Sequence, residues 1–323
     1  MKYCFVINPA AGKTDSTQEL LDRIEHCYKE NSTEVLTYLT AGVGDATEYV
    51  VRMAKEYPDE ELWFYACGGD GTLGEVVCGA MAADAQDRIA VGLIPAGTGN
   101  DFVRNFTFRD NFFDIEAQLR AEVCPIDLIR CNDRYAINMI NVGFDAEVAA
   151  KMAQLKRKWW VPSGMAYIAG LVVTLIRKPG VRGRLCADGE ELGSCRFLLN
   201  TYANGTFCGG GFRSNPKSDP TDGKLDALFV NNIGRLKFIS IVGDYKKGTH
   251  LVPKFASVLT NRKAERIDFF FDRPTNVSVD GEIITVSELH CSIEQGALRF
   301  LIPAGSRLER VGQTEQTEQT VSV

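Results

Sequence analysis

The chain has 323 residues, 45% of them hydrophobic and 24% charged, which is long enough for two domains with separate cores. Its formal net charge of −6 argues against a broad nucleic-acid surface, so handling a nucleotide would require metal ions or a few local Lys and Arg side chains. The ten cysteines form no Cys-x-x-Cys pair and only three histidines occur, which excludes zinc-finger and iron–sulfur spacings. Cysteines inside apolar runs predict structural thiols in a reducing cytosol.

The sequence predicts a soluble, cytoplasmic protein. The apolar run in residues 1–9 is too short for a signal peptide, and the longest apolar helix candidate, residues 165–176, is well below the ~20 residues that span a bilayer. Residues 156–160 could still touch a membrane surface, because three cations there precede two tryptophans. A solvated helix end that packs one tryptophan into the core is the alternative.

The first 105 residues alternate between apolar strands and amphipathic helices. Strands are predicted at residues 3–7, 34–39, 62–67 and 89–94, and helices at residues 16–30, 44–57, 72–81 and from 102 onward. This alternation predicts an α/β domain with a doubly wound parallel sheet.

The pattern of alternating strands and helices ends after residue 106. Strands are predicted at 126–131 and 135–142, a mostly helical segment at 146–175, and short strands between turn residues from 181 onward. A second domain that is mostly antiparallel β is therefore expected, with the boundary near 106–130. Residues 312–323 repeat Gln-Thr-Glu with few apolar residues, which predicts a disordered tail.

Three glycine-rich or polar loops follow strands of the first domain: residues 8–13, 68–71 and 95–101. Because the carboxyl ends of parallel strands meet at one edge, these loops are expected to share the ligand-binding edge of the sheet. Glycines let backbone N–H groups approach phosphate oxygens, and a helix N-terminus adds partial positive charge. The first loop is not a Walker A motif, because Ile7 stands where that motif needs its first glycine.

The second loop literally matches the dinucleotide pattern G-x-G-x-x-G between Gly69 and Gly74. It belongs to the third strand–helix unit, whereas that fingerprint usually opens the first. Asp70 would also repel a pyrophosphate unless a cation lay between them. A metal-linked nucleoside triphosphate fits better, and a tight turn without a ligand is the structural alternative.

Each remaining acidic candidate has a structural alternative. Asp101 is either a helix N-cap or a partner of a magnesium ion. Asp280 is either part of a hairpin turn, followed by Gly281, or the general base for a substrate hydroxyl, presented by the second domain across a cleft. Residues 219–224 form either an oxygen-ligand loop or a charged surface turn. The three scattered histidines support no Ser-His-Asp triad.

Taken together, the motifs resemble those of soluble bacterial diacylglycerol kinases and related lipid kinases, over nearly the whole chain up to about Pro303. The motifs that carry this resemblance are Asn8-Pro9-Ala10-Ala11-Gly12-Lys13, Thr40, Gly68-Gly69-Asp70-Gly71-Thr72 with Glu75, Pro95-Ala96-Gly97-Thr98-Gly99-Asn100-Asp101-Phe102, Gly209-Gly210-Gly211, Asp222-Gly223 and Asp280-Gly281-Glu282. The Gly-Gly-Asp-Gly-Thr loop alone is less specific, because NAD kinases and phosphofructokinase relatives share it.

The resemblance implies transfer of the γ-phosphate of ATP, with Mg²⁺, to a lipid hydroxyl, most directly from diacylglycerol to phosphatidic acid. It implies a phosphofructokinase- or NAD-kinase-like nucleotide-binding domain at 1–128, joined by 297–311, and a β-rich lipid-substrate domain at 129–296. The protein would work peripherally at a membrane surface, and exposed sheet edges in the second domain would permit a homodimer. The alternatives are an NAD kinase and a kinase-like protein that binds nucleotide without turnover.

Carried over by matching position, the resemblance also implies roles for individual residues. Those expected to contact nucleotide are Asn8, Thr40, Gly69, Gly71, Thr72, Glu75 and Thr98. An acid–water–magnesium network would comprise Asp70, Asp101 and Asp127. Asp280 would be the base with Glu282 as its supporting acid, and a structural magnesium would take the Asp222 side chain and the carbonyls of Asp219 and Lys224.

Two departures from the family pattern bear on these roles. The chain has Gly74 where the family often has Asn, which removes a polar group beside the nucleotide. Residues 217–220 also differ from the usual Pro-x-Ala, which makes the structural metal less secure than the ATP site.

Overall fold

A computed structural model describes residues 1–12, 15–31, 35–143, 146 and 180–309 of the protein. The chain divides into two compact units. The first comprises Met1–Leu128, Asp219–Asp222 and the chain from Glu294 onward, and the second comprises Ile129–Ser218 and Gly223–Ile293. Three predictions concern regions outside the described residues: nearly all of the helical segment at 146–175, the cationic and aromatic residues 156–160, and the disordered tail at 312–323.

The first unit contains a parallel sheet with the strand order β4-β3-β1-β2. Its strands are β1 (Lys2–Ile7), β2 (Val35–Leu39), β3 (Leu62–Gly68) and β4 (Ile89–Pro95). Every residue of β1 and β4 is buried, as expected for parallel strands that are covered on both faces. The α/β first unit is therefore confirmed, whereas the doubly wound arrangement of its helices stays a prediction.

Three helices of this unit begin and end close to the predicted residues: α1 (Thr17–Asn31), α2 (Asp45–Glu56) and α3 (Asp70–Ala82). The short α4 (Ile115–Leu119) was not predicted. Helix α3 begins at Asp70, two residues before the predicted start at Thr72, and the Thr72 hydroxyl accepts a hydrogen bond from Asn8. The predicted helix after Asp101 is a single 3-10 turn, Phe102–Asn105.

An aromatic cluster supports the segment that follows β4. The ring of Phe300 stacks on Phe106 with centroids 5.5 Å apart and meets Phe102 edge-on at 5.4 Å. Phe106 in turn contacts Phe112 at 5.1 Å, and all four rings are fully buried. Because such pairs contribute about 0.5–1.5 kcal/mol beyond area burial, the backbone just after the third loop is firmly anchored.

The second unit is built almost entirely of antiparallel strands. Its strands are β5 (Glu122–Cys131), β6 (Arg134–Ala136), β7 (Met139–Gly143), β8 (Val181–Ala187), β9 (Glu190–Ala203), β10 (Leu225–Asn231), β11 (Leu259–Ala264), β12 (Arg266–Val279) and β13 (Glu282–Ile302). The first residues of β5 and the last residues of β13 belong to the first unit. Within this unit β9 pairs with β7, β8 and β10, and β12 pairs with β7, β8 and β13. The mostly antiparallel second domain is thus confirmed, and one helix, α5 (Arg235–Lys247), was not predicted.

The sequence predicted reduced cysteines and no helix long enough to span a bilayer. The cysteines whose side chains are described carry free thiols, at positions 4, 27, 67, 78, 124, 131, 186, 208 and 291. Among the described helices, none combines the length and apolarity that crossing a bilayer requires.

Candidate active site

The loops after β3 and β4 pack backbone against backbone. A Cβ atom added to Gly97 would lie 2.4 Å from the Cα of Gly69, and one added to Gly68 would lie 2.3 Å from Oγ1 of Thr72. The Ala96 N–H donates to the carbonyl of Gly68 at 2.8 Å. Only glycine permits so close an approach, and the result is a shared surface of backbone groups at the carboxyl edge of the sheet.

Asn8 connects the first loop to the second. Its backbone N–H donates to the carbonyl of Cys67 at 3.0 Å, and its Nδ2 donates to Oγ1 of Thr72 at 3.0 Å. The Thr40 N–H donates to the carbonyl of Ile7 at 2.9 Å, which places Thr40 beside the end of β1. The structure thus brings Asn8, Thr40 and Thr72 to the same edge as the glycine loops.

Asp70 joins the second loop to the third. Its Oδ2 accepts the backbone N–H of Asp101 at 3.0 Å, and its Oδ1 accepts that of Phe102 at 3.2 Å. The carboxylate therefore caps the 3-10 turn that follows the third loop, in the way that an N-cap side chain satisfies a helix terminus. Each oxygen uses one acceptor position for this bond and keeps another.

Asp101 is almost fully buried, with 7% of its surface exposed, and an arginine that was not predicted lies beside it. The Nε of Arg104 is 3.4 Å from Oδ1 of Asp101, and its Nη2 donates to the carbonyl of Gly99 at 3.3 Å. This cation partly offsets the two acids at the loop edge. The i, i+3 spacing from Asp101 was the signal in the sequence that could have revealed it.

The space beside Gly99 fits a magnesium ion. A Cβ atom at Gly99 would lie 3.2 Å from Oδ2 of Asp70 and 3.9 Å from Oδ2 of Asp101, so both carboxylates border a place that any side chain would fill. Magnesium prefers one or two carboxylates completed by water and phosphate oxygens. Within the described ranges, no group of three or more His, Cys, Asp or Glu side chains is arranged to hold a metal ion by itself, so water and phosphate would have to supply the remaining ligands.

Glu75, Thr98 and Gly71 occupy different positions around this edge. The Oε2 of Glu75 accepts the backbone N–H of Ala46 at 3.3 Å, and its carbonyl accepts the Thr47 hydroxyl at 2.8 Å, so Glu75 links α3 to the start of α2. Thr98 and Gly71 are exposed, and a Cβ atom on Gly71 would meet nothing within 4 Å.

Asp127 lies on β5 and is 1% exposed. Its Oδ1 accepts the backbone N–H of Gly296 at 2.8 Å, and its own N–H donates to the carbonyl of Pro220 at 2.7 Å. These bonds connect three separate segments of the first unit at Asp127. Its role in a magnesium network stays a prediction.

Asp280 lies in the second unit, at the turn between β12 and β13, with a left-handed φ of 46°. Its carboxylate accepts the backbone N–H groups of Ile137 at 2.7 Å, Asn138 at 3.1 Å and Met139 at 2.7 Å. Three such donors stabilise the ionised carboxylate and fix its orientation. Glu282 forms an ion pair with Arg134 at 3.0 Å, a partner that the sequence did not reveal.

The residues of the predicted structural magnesium site are engaged in local contacts. Oδ1 of Asp219 accepts the Thr221 N–H at 3.0 Å and its hydroxyl at 2.6 Å, and the Asp219 carbonyl accepts the Asp222 N–H at 3.4 Å. The ammonium group of Lys224 pairs with Glu265. The structural magnesium stays a prediction.

The chain combines an α/β unit that carries glycine loops with an antiparallel β unit. This combination is typical of a class of two-domain kinases, and two family models match the chain. Residues 2–131 match the diacylglycerol kinase catalytic domain, and residues 138–302 match the YegS C-terminal NAD kinase beta sandwich-like domain. The chain belongs to this diacylglycerol kinase and lipid kinase family, as its motifs predicted.

A curated relative and two solved structures are similar to the chain. A Staphylococcus aureus protein (strain MRSA252), named as a candidate lipid kinase, is 26% identical over 268 residues, which cover 81% of this chain and 85% of that protein. The crystal structure of a candidate diacylglycerol kinase from Bacillus anthracis strain Sterne is similar, with a TM-score of 0.73, 23% identity, and coverage of 94% and 97% of the two chains. A second B. anthracis structure, titled as a diacylglycerol kinase, gives a TM-score of 0.67 at 19% identity, again covering 94% and 97%. The structural likeness establishes the fold.

Proposed function

We propose that this protein transfers the γ-phosphate of ATP to the hydroxyl of a lipid, with diacylglycerol as the acceptor and phosphatidic acid as the product. The observation that carries the proposal is the bridge from Asp70 to the backbone of Asp101 and Phe102, which holds two glycine loops against each other. Phosphoryl transfer depends on positioning and electrostatic stabilisation, and preorganised loops with adjacent acids supply both.

In this proposal the loop edge binds the nucleotide and its metal. The backbone N–H groups of the glycine loops and Asn8 would face the phosphates, and Arg104 would add a cation. Asp70 and Asp101 would hold Mg²⁺ directly or through water, with Asp127 as a further acid from the family resemblance. When bound, the ion would neutralise charge on the phosphate oxygens.

Asp280 is the proposed base. The acceptor hydroxyl would give its proton to the Asp280 carboxylate, its oxygen would bond to the γ-phosphorus, and the bond from that phosphorus to the bridging oxygen would break to release ADP. The three N–H donors hold the carboxylate in one orientation. Because the transition state of phosphoryl transfer is loose, the main task of this carboxylate is to orient the hydroxyl. Glu282 would support Asp280 as a second acid.

Because the acceptor is a membrane lipid, the proposal includes peripheral association with a membrane surface. A homodimer through exposed edges of the second unit also belongs to the proposal. Light scattering of the purified chain and co-sedimentation with diacylglycerol-containing vesicles test these two points separately.

The direct test is transfer of labelled phosphate from ATP to diacylglycerol in mixed micelles, with wild type and Asp280→Asn side by side. We expect labelled phosphatidic acid from wild type and a loss of about 10²-fold or more in the variant. Thermal unfolding of the variant separates lost chemistry from lost folding, because Asp280 also fixes three backbone groups. Equal activity of wild type and Asp280→Asn would show that Asp280 is not the base.

A second assay replaces diacylglycerol with a total bacterial lipid extract or with NAD. Label in another lipid would keep the lipid kinase and change its acceptor. Label in NADP would support the NAD kinase alternative and overturn the lipid proposal. Tight ATP binding with no transfer to any pool would indicate a nucleotide-binding protein without turnover.

A further inference from the structure

A pocket of about 570 Å³ opens in the second unit, at the end of β7, the start of β8 and the middle of β9 and β12. Of the lining residues that the structure describes, three are arginines, Arg182, Arg196 and Arg273, and one is an acid, Asp272. Its volume is in the range of small-molecule sites. None of the residues assigned to the kinase reaction lines it.

Two of these arginines are placed directly opposite each other. Arg182 on β8 and Arg196 on β9 are cross-strand partners in the antiparallel ladder, and both are exposed. Side chains in such positions share a face with Cβ atoms about 5 Å apart, where like charges destabilise the pair. An arrangement with this intrinsic repulsion is favourable when an anion lies between the two guanidinium groups.

Nearby arginines of the same unit are neutralised by acids. Arg184, two residues along β8, lies 3.9 Å from Glu191, and Arg262 lies 2.8 Å from Glu190. Within the part of the chain that the structure describes, the guanidinium groups of Arg182, Arg196 and Arg273 make no ion pair or hydrogen bond. Among the described residues that line the pocket, three guanidinium groups against one carboxylate give an excess of positive charge.

The backbone around the pocket keeps the arginines in place. A Cβ atom on Gly180 would lie 2.7 Å from Nε of Arg196, so glycine is needed for that side chain to take its position. The register between β12 and β13 is interrupted between Phe270 and Thr275, and Arg273 lies on the interrupted segment. The glycine and the irregular segment of β12 therefore both lie at the pocket, beside the arginines that line it.

We propose that this pocket binds a phosphate ester, as the headgroup of an anionic lipid or as a free phosphorylated metabolite. Guanidinium groups present planar pairs of N–H donors that match phosphate oxygens, and a phosphate monoester carries nearly the charge that the arginines leave unbalanced. None of its described lining residues belongs to the proposed ATP site, and the proposal does not depend on the kinase reaction.

The test compares two double variants in the absence of ATP and magnesium. Arg182→Gln with Arg196→Gln removes the opposed pair, whereas Arg184→Gln with Arg262→Gln removes the same charge from arginines that have acid partners. Calorimetry with glycerol 3-phosphate measures the soluble arm. Flotation with phosphatidylcholine vesicles that do or do not contain phosphatidic acid measures the lipid arm.

We expect the pocket variant to weaken binding about tenfold or more in at least one arm, and the control variant to change it less than twofold. Loss confined to vesicles identifies a lipid headgroup, and loss confined to glycerol 3-phosphate identifies a soluble ester. Gly180→Ala keeps every charge but displaces Arg196, and it should weaken the same arm. No binding by wild type, or equal losses in both double variants, would overturn the proposal.

Discussion

The carboxylate of Asp70 accepts the backbone N–H of Asp101 at 3.0 Å, across 31 residues of sequence. This bond makes the two glycine loops one structural element. A residue that the sequence singled out for its negative charge therefore also has a structural task, and the two can be separated by experiment.

Asp70→Asn is expected to reduce kinase turnover by roughly 10²–10³-fold, because the loop geometry and the proposed metal contact are both impaired. The free energy of unfolding should fall by only about 1 kcal/mol, since the change removes one capping interaction. Labelled phosphate transfer at limiting magnesium and urea unfolding measure the two effects.

Asp114→Asn is the matched control, because Asp114 caps α4 through the N–H of Glu116 at 2.9 Å. The amide oxygen of Asn can still accept the Glu116 N–H, so this variant should leave both stability and turnover nearly unchanged. Normal turnover in Asp70→Asn at limiting magnesium would show that Asp70 is a cap alone.

The close approach of the loops makes Gly97 intolerant of a side chain. In Gly97→Ala the new methyl group would lie 2.4 Å from the Cα of Gly69, so the loops must separate, at an expected cost of about 1–3 kcal/mol together with weaker ATP binding. Gly74→Ala is the contrast, because the Cβ there meets nothing within 4 Å and the residue lies inside α3. That variant should be more stable by about 0.5–1 kcal/mol. Thermal unfolding of both variants measures these changes in stability. An unchanged melting temperature in Gly97→Ala would refute the packing argument.

The bond between Asn8 and Thr72 predicts coupled effects on nucleotide affinity. Asn8→Ala and Thr72→Val are each expected to weaken ATP binding several-fold. The double variant should lose less than the sum of the two, with a coupling energy of about 0.5–1.5 kcal/mol. Calorimetry measures the affinity of wild type, both single variants and the double variant for ATP in the presence of magnesium. Strictly additive losses of binding free energy would mean that the two side chains act separately.

Asp268 links stability to pH. Arg266 donates to both oxygens of Asp268, at 2.8 and 2.9 Å, and these bonds lower the pKa of the carboxyl, helped by the contact with His290 and opposed by burial. Because the folded-state pKa lies below the unfolded value, the stabilisation is complete above about pH 4 and is lost as the pH falls through the folded pKa.

Asp268→Asn should lower the free energy of unfolding at pH 7 by about 1 kcal/mol, since Arg266 is largely exposed. The variant should also flatten the decline in stability at acidic pH relative to wild type, measured by urea unfolding at several pH values. Asp133→Asn, at an exposed turn position, is the control. Parallel pH curves for wild type and Asp268→Asn would contradict the assignment.

The sequence was informative where apolar runs and glycines dominate. It predicted β1 to β4 almost to the residue, because buried parallel strands leave continuous apolar runs. Helix α5 was not predicted, since its apolar residues lie in a short stretch that is also compatible with a strand. Strands β12 and β13 were expected as several short pieces, because Pro274 and polar positions interrupt their patterns.

In the candidate site, the residue types were predictable and their contacts were not. Asp70 and Asp101 were placed at one edge by the rule for parallel sheets, but the bond between them depends on how the two loops approach each other. Arg104 and Arg134 were missed because their acid partners become neighbours only through the local turn or the folded chain. The three N–H donors around Asp280 come from residues about 140 positions away, which no local pattern records.

The stacking of Phe300 on Phe106 has a consequence for how the protein is made. A ribosome synthesises the glycine loops within the first third of the chain, yet the ring that supports the segment after them is added only near the end. A nascent chain would therefore carry its glycine loops long before they are held in place. The ATP binding proposed for these loops should arise in a single late step, once β13 has left the ribosome and joined the first unit.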